Sequence, residues 1–184
     1  MEEEIWCNQD VLWKGNSEIE VAIQRAHYHI VQQLSLFEDE PIAVCVLLEG
    51  SLKFFSTLTT MLPCNFEICF IHVRQRFEKN KQIIKHISAP LSMFKNKKTL
   101  LLTDVVNTGE TLQHVAKRIE KEGMPKQMLT ISLICKSENS DFQPNISIFK
   151  YDKPEHIYGY GLKKKDGLYG SNSSLYILNS NNKS

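Results

Sequence analysis

The segment Thr99–Gln113, which reads TLLLTDVVNTGETLQ, constrains the fold of this chain more than any other stretch. The apolar residues Leu100–Leu102 lead into Asp104, and from Leu112 onward apolar residues recur at the spacing of one helix face. We therefore predict a buried strand that ends near Asp104, a short polar loop and the N-terminus of a helix.

The polar loop of this segment has the composition of a phosphate-binding turn. Where a strand is followed by a helix, backbone N–H groups and the positive end of the helix dipole converge on one spot. Gly109 lets the backbone approach a ligand closely, and Thr108 and Thr111 add hydroxyl donors. The same residues also fit an ordinary strand–turn–helix connection capped by Thr108, and both interpretations stay open on this pattern alone.

Composition narrows the class of protein. The 184 residues, 42% hydrophobic and 23% charged, are typical of a single globular domain with a sizeable core. A formal net charge of +1 gives no reason to expect binding to nucleic acid or to a membrane, and no apolar run approaches the ~20 residues of a membrane span. The five cysteines form no CxxC pair, and the acidic N-terminus lacks the parts of a signal peptide. We therefore expect a cytoplasmic protein.

Helical and strand patterns alternate along the rest of the chain. A capping box at Ser17 and Glu20 predicts a helix that runs to about Leu36, and the basic segment 74–98 is predicted to hold a hairpin. Strands separated by helices imply a doubly wound, mostly parallel sheet whose ligands bind at the carboxyl ends of the strands. Three groups at such ends are expected to share one cleft. These three groups are Glu49-Gly50-Ser51, Asp104–Thr111 and Lys136. The other predicted strands are Ile5–Cys7, Ile42–Leu48, Phe66–Val73, Met128–Ile134, Ile146–Phe149, Ile157–Gly161 and Ser174–Leu178.

Four separated segments resemble, in the same order, motifs of the hypoxanthine-guanine phosphoribosyltransferases, a branch of the type I phosphoribosyltransferases. They are LLEGS at Leu47–Ser51, LTDVVNTGETL at Leu102–Leu112, SLICK at Ser132–Lys136 and HIYGYGL at His156–Leu162. The resemblance covers about residues 40–178. It implies an α/β fold with a mostly parallel twisted sheet, flanking helices and a small hood. The whole chain, 1–184, is then one domain with a core at about 38–150 and a hood made from the N-terminal segment and about 151–178.

The resemblance also implies an activity. Members of this family are glycosyltransferases of purine salvage that transfer the 5-phosphoribosyl group from phosphoribosyl pyrophosphate (PRPP) to hypoxanthine or guanine. The products are IMP or GMP and pyrophosphate, and the reaction uses Mg²⁺. The implied partners are therefore a purine base, PRPP and GMP or IMP, and family members are homodimers or homotetramers.

The resemblance assigns the site residues by position. Asp104 and Asn107 take the catalytic positions, and Asp104 is also the implied metal ligand. The remaining assignments are Thr103, Asp104, Asn107, Thr108, Gly109, Glu110 and Thr111 for ribose and phosphate, Lys136, His156, Ile157 and Lys163 for the purine, and Glu49, Gly50 and Ser51 for the pyrophosphate loop.

Several positions differ from the family pattern. Thr103 replaces one of two acids, and Asn107 replaces the Asp that takes the proton from N7 of the purine, a step typically worth about 10²–10⁴ in rate. Glu49 stands for a lysine, Lys163 for an Asp that helps to hold magnesium, and Tyr169 for an arginine. We hypothesise that Glu49 and Lys163 lie near each other, with the ammonium partly replacing a metal charge. The alternatives are a catalytically weak or inactive relative that binds purine nucleotides as a regulatory module, and a structural protein on the same fold.

Overall fold

The computed structural model describes residues 10–36, 41–48, 50–78, 81–88, 90–136, 142–169 and 172–178, with 74–78 and 81–88 described by their backbone only. The predicted strand Ile5–Cys7 and the predicted pyrophosphate-loop residue Glu49 lie outside these ranges. The strands are β1 Val11–Lys14, β2 Ile42–Leu47, β3 Phe66–Glu78, β4 Lys81–Ser88, β5 Lys98–Val106, β6 Gln127–Cys135, β7 Ile146–Lys150, β8 Ile157–Gly159 and β9 Leu175–Ile177. The helices are α1 Asn16–Leu34, α2 Leu52–Thr59 and α3 Glu110–Arg118, with a 3₁₀ turn at Leu91–Phe94 and a π-helical turn at Ile119–Gly123.

The main sheet has the strand order β4-β3-β2-β5-β6-β7. All neighbouring pairs from β3 to β7 are parallel, and β4 returns antiparallel to β3. The predicted mostly parallel sheet and the predicted hairpin within 74–98 are therefore confirmed. The hairpin extends β3 to Glu78, beyond the predicted end at Val73.

Helices cover both faces of this sheet because its central strands are apolar on both sides. Along β2, every residue is buried, and successive side chains enter opposite cores. Val44 and Val46 pack in the core that contains α1 and α2, whereas Ala43 and Cys45 pack in the core that contains α3. The sheet is thus doubly wound, as predicted.

A second, antiparallel sheet has the order β1-β9-β8. It joins the N-terminal strand to two strands that follow residue 150, and the Tyr158 hydroxyl donates a hydrogen bond to Asp10. Its inner residues Ile157 and Leu175 pack in the same core as α1 and α2. This sheet therefore lies over one end of the main fold, whereas the division of the chain into a core and a hood within one domain stays a prediction.

Two local predictions are wrong. Helix α1 begins at Asn16 and not after Ser17, because the Glu18 carboxylate accepts the Gly15 N–H at 3.0 Å and pairs with Lys14 at 3.1 Å. Strand β5 does not end near Asp104 but continues to Val106, since its ladder with β6 runs to the pair Val106–Cys135. None of the helices in the described ranges has the length and apolar character needed to cross a membrane.

Candidate active site

The turn between β5 and α3 builds the first part of the site. The strand carries Thr103 and Asp104 to its carboxyl end, and Gly109 immediately precedes the helix with φ of 82°. This left-handed conformation suits glycine because a Cβ would be strained there. Thr108 does not cap the helix closely, since its hydroxyl lies 3.4 Å from the Glu110 N–H. The N-cap residue Gly109 makes no side-chain hydrogen bond to the helix, and the first backbone N–H groups of a helix have no partner within the helix itself.

A cavity of about 410 Å³ opens beside this turn. Its wall contains all the predicted ribose and phosphate residues except Glu110, whose side chain is exposed to solvent. We call it the turn cavity. Its lining residues are Leu47, Leu48, Val73, Thr103–Gly109, Thr111 and Leu112.

Asp104 is held in a fixed position at the edge of the turn cavity. Its Oδ1 accepts the Val105 N–H at 2.7 Å and lies 3.4 Å from the Thr103 hydroxyl. Its Oδ2 lies so close to Gly50 that a Cβ at residue 50 would be 2.1 Å away. Burial raises the pKa of the Asp104 carboxyl above its ordinary value, while the Val105 N–H and the charge of Lys163 act in the opposite direction.

A second cavity, of about 400 Å³, adjoins the first one. We call it the loop cavity, because the loop after β8 supplies Leu162, Lys163 and Tyr169 to its wall. Asp104 lines both cavities and therefore stands between them. The loop cavity is lined by Leu48, Gly50, His72, Val73, Asp104, Val105, His156, Ile157, Leu162, Lys163 and Tyr169. Most of the residues predicted from four distant segments thus meet in one cleft.

Lys136 lies beside this cleft without lining either cavity. Its backbone N–H donates to the Val106 carbonyl at 2.8 Å, and its ammonium donates to the Glu155 carbonyl at 2.7 Å. Burial lowers the pKa of the Lys136 ammonium, and the charge of Glu155 partly opposes this change. The lysine therefore already has a carbonyl partner, of the kind that a purine oxygen would offer.

His156 lies directly before β8, and its ring contacts the loop that follows β8. Its Nε2 lies 2.8 Å from the Lys163 carbonyl oxygen, so that Nε2 carries the proton and donates it. The ring is half-buried and lines the loop cavity. This contact orients the imidazole and fixes the backbone at Lys163. Stacking of the ring on a purine stays a prediction.

The pyrophosphate loop is described only in part. The Ser51 side chain is fully buried, and its hydroxyl donates to the Leu47 carbonyl, so this hydroxyl is used inside the protein. Gly50 lies between Asp104 and the loop after β8. A Cβ atom added to Gly50 would lie 3.2 Å from the Leu162 side chain, and a Cβ atom added to Gly161 would lie 3.2 Å from the Gly50 carbonyl oxygen. The predicted proximity of Glu49 and Lys163 lies outside the described residues.

The sequence analysis missed His72 as a lining residue of the loop cavity. Its place in the sequence could have indicated this role, because His72 lies near the carboxyl end of the predicted strand Phe66–Val73. The rule that ligands of parallel sheets bind at these ends applies to it as it does to Asp104.

The described residues do not fit a magnesium ion held by the protein. Mg²⁺ requires near-octahedral oxygen coordination. Asp104 is the only carboxylate among the described lining residues of the two cavities, and its oxygens already face Val105, Thr103 and Gly50. Within the described ranges, no group of three His, Cys, Asp or Glu side chains could hold a metal ion.

Comparisons with known proteins agree with this geometry. A sequence profile of the phosphoribosyl transferase domain matches residues 14–158. A curated relative, the hypoxanthine-guanine phosphoribosyltransferase of Lactococcus lactis subsp. lactis, is 24% identical over 128 residues, which are 68% of this chain and 69% of the relative.

Solved structures of hypoxanthine phosphoribosyltransferases have the same fold. The Staphylococcus aureus protein superposes with a TM-score of 0.79 at 18% identity, covering 97% of this chain and 96% of that chain. A substituted form of the Trypanosoma cruzi protein, in complex with the product IMP, superposes with a TM-score of 0.81 at 20% identity, covering 97% of this chain and 95% of that chain. The predicted fold, a parallel sheet with flanking helices, is therefore confirmed.

Proposed function

Because the chain belongs to the phosphoribosyl transferase domain family, whose profile spans residues 14–158, we propose that it is a purine salvage enzyme of the hypoxanthine-guanine type. It transfers the 5-phosphoribosyl group from PRPP to hypoxanthine or guanine and releases pyrophosphate. The observation that carries the proposal is the position of Asp104 between two adjoining cavities. A ribose held there has one cavity for its 5′-phosphate and the other for the groups at C1.

The turn cavity is suited to the 5′-phosphate. The N–H groups at the start of α3 face an anion favourably, and the nine residues of the helix add the positive end of its dipole. Thr108 is exposed and Thr111 half-buried in the wall, where their hydroxyls would supply further donors. We assign the ribose hydroxyls to Asp104, with Thr103 as a neutral hydrogen-bonding neighbour.

The loop cavity is suited to the groups at C1 of the ribose. His156 and Ile157 would contact the purine, and Gly50 and Lys163 would contact pyrophosphate. Lys136 would exchange the Glu155 carbonyl, now 2.7 Å away, for the exocyclic oxygen of the purine. Lys163 lies in one wall with Gly50 and Tyr169, and we assign it to pyrophosphate in place of the purine contact that the resemblance implies.

Removal of the proton from N7 of the purine is the difficult step of the reaction for this chain. Asn107 lines the turn cavity and is exposed to solvent, and its amide oxygen can accept a hydrogen bond from N7–H but cannot take the proton. The chain therefore binds and orients the reactants while the proton leaves to solvent, and we expect a reduced turnover number. Family members use Mg²⁺ together with PRPP, and we assign no protein ligand set to that ion.

A second candidate function is favoured by the lining of the two cavities. Asp104 is the sole acid among their described residues, so a purine nucleotide could bind without being turned over. The chain would then be a regulatory module that senses GMP or IMP.

One pair of measurements decides between the two candidates. Product formation is followed by absorbance with PRPP, Mg²⁺ and either hypoxanthine or guanine, and GMP binding is measured by calorimetry on the same preparation. Turnover supports the enzyme, and GMP binding without turnover supports the regulatory module. Absence of both would overturn both.

We also propose that the protein works in the cytoplasm as a homodimer or homotetramer. The described cysteines Cys45, Cys64, Cys69 and Cys135 form no disulfide, as expected in a reducing compartment. The exposed apolar side chains of Leu52 on α2 and of Ile68 and Phe70 on β3 support self-association.

A further inference from the structure

We propose that Lys163 takes the electrostatic place of a divalent cation at this site, so that the chain binds PRPP without Mg²⁺. The inference rests on the proposed function and concerns the same cleft. It assigns to the Lys163 side chain the positive charge that a metal ion would supply, because the described residues offer no site for that ion.

The charged groups of the cleft are few. Among the described residues that line the turn cavity and the loop cavity, Lys163 is the only lysine or arginine and Asp104 the only acid. PRPP carries several negative charges, and the part of it bound in the loop cavity needs a positive partner there. Within the described wall, the Lys163 ammonium is the permanent charge of that sign.

Lys163 shares a cavity wall with the group that separates the two cavities. Lys163 and Asp104 both line the loop cavity, so a positive and a negative side chain face the same space. An anion bound there would meet the Asp104 carboxylate, and the Lys163 ammonium in the same wall would supply the compensating positive charge.

The backbone around Lys163 is fixed in place. Its carbonyl accepts the His156 Nε2–H at 2.8 Å, and it pairs in an antiparallel bridge with Tyr169, whose ring centroid lies 5.0 Å from the ammonium. Gly161, with φ of 90°, brings this loop against the Gly50 carbonyl. The loop thus holds Lys163 in the same cavity wall as Gly50, and the lysine side chain is exposed to solvent.

The donor set opposes a metal at the same place. Asp104 is the only carboxylate among the described residues of the two cavity walls, and its oxygens already face an N–H donor and the Gly50 backbone. A magnesium ion would also be repelled by the ammonium. Both observations favour a cleft in which the lysine and the metal exclude each other.

The test is calorimetric titration of PRPP into the full chain, once in EDTA and once in Mg²⁺. We expect the unchanged protein to bind PRPP with similar affinity in both buffers. Lys163→Asp should weaken binding in EDTA by at least about tenfold, because it replaces an attraction by a repulsion, and Mg²⁺ should restore much of the loss. Lys163→Met, which removes only the charge, should weaken binding in EDTA to a smaller extent.

The matched control is Lys165→Asp. It makes the same charge change two residues away, at an exposed position that lines neither cavity, and should keep both affinities. Thermal unfolding of each variant checks the fold. PRPP binding by the unchanged protein only in Mg²⁺, or unchanged affinities in both Lys163 variants, would overturn the inference alone. No PRPP binding in either buffer would overturn it together with the proposed function.

Discussion

At the scale of single residues, some positions of the candidate site match the family pattern and others differ from it. Asp104, Gly109 and Gly50 have the geometry that their chemistry requires: a held carboxylate, a left-handed turn and a backbone without a side chain. Asn107 lines the turn cavity, and its amide cannot take a proton. If the proposed function is correct, we expect this residue to affect the rate of the reaction rather than its location.

Asn107→Asp should raise kcat. A carboxylate at this position can take the N7 proton, and general-base catalysis is typically worth about 10²–10⁴ in rate, so we expect an increase toward the lower end of that range. Steady-state kinetics with PRPP and hypoxanthine measure it. The control is Asn65→Asp, an exposed position that lines neither cavity. An Asn107→Asp kcat equal to that of the parent chain would contradict a rate limited by this proton.

At the scale of elements, long-range pairing decided where β5 ends. Strand β5 continues past the acid that its local pattern marked as an end, because β6 continues to pair with it. The loop after β8 reaches the site through its contact with Gly50 at the start of α2. Packing between elements therefore fixes the shape of the cleft.

Gly50→Ala should weaken PRPP binding. The added Cβ would lie 2.1 Å from the Asp104 Oδ2, so that either the carboxylate or the loop must move, and at least a tenfold loss of affinity is expected. Gly15→Ala is the control, since its Cβ would make only an ordinary contact of 3.8 Å with Glu18. Calorimetry of both variants measures the difference. Unchanged binding by Gly50→Ala would show that this contact does not position Asp104.

The packing of α1 should make the fold sensitive to acid. Burial lowers the pKa of His27 on α1 below the ordinary value of 6.5, although a hydrogen bond with the Met61 backbone opposes this change, and its Nε2 has no partner among the described residues. The unfolded chain then binds the proton more readily than the folded one, so the free energy of unfolding should fall as the pH drops below about 6.5.

His27→Leu should reduce that loss. The comparison is denaturant unfolding of both proteins at pH 7.5 and pH 5.5, with His29→Leu on the same helix as the control. Equal pH dependence in the parent chain and His27→Leu would contradict a buried, neutral His27.

At the scale of the whole molecule, the resemblance inferred from four short motifs is confirmed by a family profile that spans residues 14–158. The fold places three of these motifs at the carboxyl ends of parallel strands, where ligands of such sheets bind, and brings the fourth, at His156–Leu162, beside them. The molecule also exposes apolar side chains on α2 and β3. Leu52 of α2 is 47% exposed, and Ile68 and Phe70 of β3 are 44% and 45% exposed. In the described strands, β3 has a free edge from Phe66 to Ile71, since β4 pairs with it only from His72 onward.

Phe70→Lys should therefore dissociate the proposed homo-oligomer. A charge in a buried apolar contact between copies is costly, so the apparent mass in light scattering after size exclusion should fall to that of one chain. Tyr28→Lys on α1 is the control, because Tyr28 is a 60% exposed aromatic residue on another element. A monomeric parent protein, or an unchanged mass for Phe70→Lys, would contradict the assignment of this surface.

The sequence by itself determined the local structure and the identity of the turn. Periodicity is a local property, so the strand, the polar loop and the helix of Thr99–Gln113 could be predicted, as could the position of Gly109. Its order of helices and strands also predicted the doubly wound sheet, because parallel strands need crossover connections.

Only the tertiary structure decided what surrounds Asp104. Its contact with Gly50, the wall that it shares between two cavities, the part played by His72 and the carbonyl partner of Lys136 all join residues far apart in the chain. Such contacts depend on strand order and register, which no local pattern specifies. The position of Lys163 is decided in the same way: in the sequence it is a lysine in a polar loop, and the fold places it in one cavity wall with Asp104.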